Sequence, residues 1–169
     1  MSRSALIPVT ALLGALLASC TNSDCQDYRT TLPLASFYTD PGSGAPQQVA
    51  FDSITVAGVG VPSDSLLLDN ARQASETFLP LDPARRSCSF ALIYSMRPLM
   101  ADTVTIAYTP RPHFASAECG VVYYYDIEAL DHTSLLIDSV SCLTDPVTNR
   151  PVENFRIYFH YNPAPDPLP

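Results

Sequence analysis

Asn154-Phe155-Arg156-Ile157-Tyr158-Phe159-His160-Tyr161 alternates without a break: Phe155, Ile157, Phe159 and Tyr161 fall on one side, and Arg156, Tyr158 and His160 on the other. Successive side chains of a strand point to opposite faces, so this pattern predicts a strand with one buried face. The same signature recurs upstream. Thr103–Tyr108 sets Val104, Ile106 and Tyr108 against Thr103, Thr105 and Ala107, and Cys88–Ser95 brings Phe90, Leu92 and Tyr94 together. Leu32–Thr39, Gln48–Val59, Ser65–Asp69, Val121–Leu130 and Ser134–Leu143 are further short apolar runs bounded by Pro, Gly, Asp and Asn. Within Gln48–Val59 the apolar phase changes between Phe51 and Ile54, which predicts a bulge. Asn70–Phe78 competes as a helix, because Ala71, Arg72, Gln73, Ala74 and Glu76 favour one, but it is short. The expectation is an all-β fold: a two-layer antiparallel β-sandwich, immunoglobulin-like, of about eight strands.

The chain has 169 residues, a formal net charge of −8, 47% hydrophobic residues and no tryptophan. That apolar content excludes a disordered chain, and 6 glycines are too few for collagen or a flexible linker. Lysine is absent, so all 9 basic residues are arginine. An acidic chain without a basic face is not built to neutralise phosphates, so no nucleic-acid partner is expected.

Residues 1–19 read as a signal peptide. Arg3 supplies the positive start, Ala5–Leu17 the apolar stretch, and Leu17-Ala18-Ser19-Cys20 has the form of a bacterial lipobox. The stretch is too short to be a stable membrane span. Cys20 is therefore the expected lipidation site, and durable attachment requires more than one acyl chain. Residues 20–27 form the lipidated tether, 28–161 the β-sandwich domain, and 162–169 a Pro-rich tail. The membrane is the expected partner through the lipid anchor, because an acidic chain has no attraction to anionic lipid.

Lipidation of Cys20 leaves Cys25, Cys88, Cys119 and Cys142, an even set suited to an oxidising compartment. Four cysteines allow three pairings, and spacing does not choose among them. The expectation is Cys25 with Cys119 and Cys88 with Cys142; the alternative is one bridge and two buried thiols. There is no Cys-x-x-Cys pair and no histidine cluster beside a cysteine, so no metal is expected, and no cofactor.

An Asp, then Ser or Thr, then an aliphatic residue occurs at Asp52-Ser53-Ile54, Asp64-Ser65-Leu66, Asp102-Thr103-Val104 and Asp138-Ser139-Val140. The plain reading is an Asp closing a turn ahead of a strand. The sharper one is that the triplets resemble O-glycosylation acceptors of exported Bacteroidota proteins, with glycan on Ser53, Ser65, Thr103 or Ser139. That reading requires hydroxyls facing solvent. No nucleophile elbow surrounds any serine, and His113, His132 and His160 are far apart in the sequence. Glu118, Asp126 and Glu128 are the candidate carboxylate pairs, and Asp69-Asn70 and the Asp40 loop lack calcium-loop spacing. Tyr123-Tyr124-Tyr125 offers a stacking platform for a sugar or peptide, although strand alternation puts at least one of the three in the core.

Four blocks carry a family likeness: Cys25 after the lipid cysteine; Asp64-Ser65-Leu66-Leu67-Leu68; His113-Phe114 followed by Cys119-Gly120; and Ile137-Asp138-Ser139-Val140 followed by Glu153-Asn154-Phe155-Arg156-Ile157-Tyr158-Phe159. From Cys25 to Phe159 the chain resembles a family of small uncharacterised Bacteroidota lipoproteins, a domain of unknown function. The resemblance implies a β-rich exported lipoprotein and a Cys25–Cys119 bridge, and it implies no catalytic residue. The expected function is a non-enzymatic binding or structural module anchored in the outer membrane, facing the periplasm or the cell surface. Its expected partner is an envelope protein or glycan. The rival expectation is an envelope hydrolase.

Overall fold

The computed structural model describes residues 31–39, 45–60, 65–94, 100–117 and 119–160. Cys20, Cys25, the signal segment, the tether, the Pro-rich tail, the Asp40 loop and Glu118 lie outside the described residues. Among the described residues ten strands and no helix form: β1 (Leu34–Thr39), β2 (Gln47–Gln48), β3 (Ile54–Val59), β4 (Leu66–Ala71), β5 (Glu76–Phe78), β6 (Ser87–Tyr94), β7 (Ala101–Ser116), β8 (Gly120–His132), β9 (Ile137–Cys142) and β10 (Glu153–Phe159).

The strands build two five-stranded sheets in a sandwich-like arrangement. The first runs β2-β1-β10-β9, with β5 also on β1; the second runs β4-β3-β6-β7-β8. Phe37, Phe155, Ile157 and Phe159 of the first sheet and Ile54, Leu92, Val104 and Ile106 of the second share one buried core. At its centre Phe51 packs on Phe37, Tyr94 and Phe159, with ring centroids 5.7, 5.7 and 4.9 Å apart.

Two departures from the expected sandwich have physical causes. First, the pairing is not antiparallel throughout. β1 runs parallel to β10, with Phe37 opposite Ile157; the long crossover that a parallel pair needs is supplied by passage through the second sheet. This pairing departs from the expected all-antiparallel arrangement, while the other strand pairs are antiparallel. Second, Gln48–Val59 is not one bulged strand. β2 pairs with β1, whereas β3 pairs with β4 and β6, so the chain changes sheets between them. Phe51, in the crossing segment, and Ile54, on β3, are both buried in the core, and the crossing between them produces the phase change in the sequence. The competing helix over Asn70–Phe78 does not form. Asn70 and Gln73 have φ of 45° and 53°, a left-handed conformation that a right-handed helix excludes, and the segment turns from β4 into β5.

The expected Cys88–Cys142 bridge does not form. Both are free thiols: Cys88 lies on β6 of the second sheet and Cys142 on β9 of the first, and each has a different partner. Cys88 Sγ sits 3.0 Å from the Tyr108 hydroxyl. The Cys142 thiol donates to Thr144 O over 3.3 Å, and burial raises its pKa. Cys119 is disulfide-bonded, and neither described cysteine is its partner.

Candidate functional site

β7 and β8 form a long hairpin that the sequence shows only in part. Thr103–Tyr108 is visible by alternation, but Pro110 and Pro112 hide the remainder. Tyr108 donates its N–H to Arg86 O on the β6 side. Residues 110 and 112 have the same parity, so their missing N–H groups fall on that side, beyond the end of the β6 pairing at Ser87 opposite Ala107. Proline is tolerated there because no ladder hydrogen bond is lost. On the other side the prolines stay in register, Pro110 opposite Tyr125 and Pro112 opposite Tyr123. Gly120, at φ 76°, supplies the left-handed residue at the start of β8.

The hairpin presents Arg111, His113, Tyr124 and Asp126 on its outward face. The His113 and Tyr124 rings are stacked, with centroids 4.8 Å apart and an interplanar angle of 19°. Arg111 and Asp126 form an ion pair. The connector from β9 to β10 is held beside β8 at Tyr125 and Ile127. Tyr125 exchanges backbone hydrogen bonds of 3.0 and 2.8 Å with Val147, and the Ile127 N–H donates to Asp145 Oδ1 over 3.1 Å. Between connector and strand lies an open groove of about 640 Å³, lined by Tyr124, Thr144, Asp145, Thr148, Asn149 and Arg150 among others. The Tyr124 hydroxyl donates to Asn149 Oδ1 over 3.3 Å. With Leu143, Pro146 and Val152 also in its lining, the groove combines a ring and apolar walls with donors and acceptors of both signs, an arrangement suited to a neutral ligand with both apolar and polar faces.

Of the tyrosine triplet, Tyr125 is the core residue. Its ring meets Tyr108 edge-on at 5.2 Å and its hydroxyl donates to Leu81 O over 2.9 Å; burial, with the nearby Asp82 and Cys88, pushes its pKa up to about 12. Tyr123 is exposed on the opposite face of the hairpin from Tyr124. The candidate carboxylates are engaged elsewhere: Asp126 with Arg111, and Glu128 with the hydroxyl of Thr109. The histidines are not brought together. His132 Nδ1 lies 3.0 Å from Thr133 O and His160 Nε2 3.0 Å from Leu135 O. Among the described residues no group of three or more His, Cys, Asp or Glu side chains could hold a metal ion.

The four hydroxyls of the triplets are each half-buried. Ser53 donates to Asn70 Oδ1 and Ser65 to Gly58 O. Thr103 stands opposite Ala91, and Ser139 opposite Tyr158. Asp102 of the third triplet is fully buried and accepts five hydrogen bonds: from the hydroxyls of Tyr94 (2.8 Å) and Thr133 (2.7 Å), and from the N–H groups of Leu135 (2.8 Å), Leu136 (2.8 Å) and Ile137 (3.2 Å). Sequence reading placed this Asp at a turn and missed its role. Its position in phase with Val104 and Ile106 was the available signal.

This architecture defines the class: an all-β, two-sheet domain of sandwich-like build. Residues 53–159, more than half of the chain, match the family of unknown function DUF6452, and the chain belongs to that family. No curated protein and no solved structure matches the chain.

Proposed function

We propose that this member of DUF6452 is a lipid-anchored, non-enzymatic binding module of the bacterial outer membrane, tethered through Cys20, and that it holds an envelope glycan in the groove beside Tyr124. The anchor reading is supported by the apolar Ala5–Leu17 stretch ending at Leu17-Ala18-Ser19-Cys20. A Cys25–Cys119 bridge joins the tether to the domain in this reading, which accords with Cys119 being disulfide-bonded.

The stacked Tyr124–His113 pair beside a groove that mixes apolar walls with polar side chains carries the binding reading. Sugars present apolar C–H faces to rings and hydroxyls to amides, carboxylates and guanidinium groups. Tyr124 supplies the ring, and Asp145, Asn149 and Arg150 supply the polar rim. Such a site binds without needing a nucleophile or a proton-transfer pair.

Purified protein applied to an array of bacterial envelope glycans tests this. A defined glycan is expected to be retained, and Tyr124→Ala is expected to weaken it about tenfold, equivalent to about 1.4 kcal/mol. Folded wild-type protein that retains no glycan, or a Tyr124→Ala variant that binds like wild type, contradicts the assignment.

A further inference from the structure

We infer that the tip of the β7–β8 hairpin rests on the lipid surface, with Pro112, Phe114, Val121 and Tyr123 as the membrane-contacting face; this inference rests on the anchor reading above. Cross-strand partners share a face, so Pro112 with Tyr123 and Phe114 with Val121 continue the side of the hairpin that buries Tyr125. That side loses its cover in sequence. Tyr125 is 3% exposed, Tyr123 38%, Val121 53% and Phe114 67%. An apolar inner face therefore overhangs the core and ends in the open, where scattered single apolar residues would be unremarkable but a contiguous row calls for an occupant.

The length of chain leading to the anchor identifies that occupant. The described chain begins at Thr31, which is buried and donates its hydroxyl to Tyr123 O over 2.6 Å. Eleven residue steps separate Thr31 from Cys20, a reach of at most about 36–40 Å. Cys119, in the turn between β7 and β8, is disulfide-bonded. With Cys25 as its partner, only five steps separate the lipidated residue from the stapled one, a reach of about 17 Å. With that staple the hairpin tip lies within about 17 Å of the lipidated residue, and the Thr31 bond to Tyr123 brings the chain onto the fold at the same strand. Tyrosine and other amphipathic or apolar side chains partition into the headgroup region. The charged Arg111–Asp126 pair lies on the opposite face, so lipid contact desolvates neither.

The chain contains no tryptophan, so one introduced indole reports one position. Full-length lipidated protein carrying Phe114→Trp, Val121→Trp or, as a remote control, Phe78→Trp on β5 is reconstituted on phosphatidylcholine–phosphatidylethanolamine vesicles containing brominated phosphatidylcholine. Phe78 is 51% exposed, so the control tolerates the change. The expected result is loss of emission and a blue shift for Phe114→Trp and Val121→Trp, with Phe78→Trp unquenched. Vesicle-bound protein in which the tip positions are quenched no more than the control overturns the membrane-facing tip and leaves the anchor standing. Wild-type protein that does not float with the vesicles overturns the anchor and this inference together.

Discussion

Asp102 accepts a hydrogen bond from each of Tyr94, Thr133, Leu135, Leu136 and Ile137, and so ties β6, β7 and the start of β9 to one buried carboxylate. Burial alone would raise its pKa, but bonds from the Leu136 and Leu135 N–H groups and the Thr133 and Tyr94 hydroxyls outweigh it and hold the value below the ordinary range. Asp102→Ala leaves those donors buried without an acceptor and is expected to cost about 3–5 kcal/mol in urea unfolding. The pH dependence has a definite sign. A carboxylate with a depressed folded-state pKa stabilises the fold above its unfolded value, about 3.9. That contribution is lost as pH falls through the lower folded value. Wild-type stability is therefore expected to drop below about pH 4, and the Asp102→Asn variant to start lower and show a flatter acid limb. Parallel acid limbs for the two proteins would contradict an ionised Asp102.

Residue-level chemistry was legible where it followed alternation. Strand parity required at least one of Tyr123, Tyr124 and Tyr125 in the core, and the structure makes it Tyr125; Val104, Ile106 and Tyr108 face the core as their spacing required. Asp102 was not legible, because its donors lie more than thirty positions downstream for Thr133–Ile137 and no local pattern announces them. The groove shares this property: Asn149 and Arg150 meet Tyr124 only because Val147 pairs with Tyr125 across a long sequence separation.

At the scale of elements, the β7–β8 hairpin is the most informative unit. Its outer half has β8 as its only named strand partner, so β7 exposes an edge from Thr109 onward. An unpaired edge invites another strand, and proline is a standard defence. Replacing Pro110 and Pro112 together by threonine restores two N–H donors on that edge. The double variant is expected to fold with nearly unchanged stability and to self-associate in sedimentation velocity, where the wild type stays monomeric at the same concentration. A monomeric double variant would show that the prolines are not guarding the edge. The same prolines ended the sequence-based strand too early, since they bar a central strand but not an edge.

At the scale of the whole molecule, the all-β, two-layer character was readable from eight apolar runs, and ten strands form around them. Sheet membership was not readable. β2 and β3 belong to different sheets, and β1 joins β10 in parallel although the whole described chain lies between them. Such long-range pairing depends on which layers can close a shared core, which no local window contains. Alkylation of the unfolded, unreduced protein is expected to label Cys88 and Cys142, the free thiols of the described chain, and peptide mapping to leave Cys119 in a bridge. A Cys88–Cys142 peptide would contradict the assignment of the two as free thiols.

The claim on which the cellular role depends is that a lipid on Cys20 holds this domain to a membrane. Metabolic labelling of producing cells with radioactive palmitate, comparing wild type with Cys20→Ala, addresses it directly. Label in the wild-type band, absent from Cys20→Ala together with its sedimentation with membranes, is the predicted result. An unlabelled wild-type protein that fractionates identically to Cys20→Ala would contradict the account.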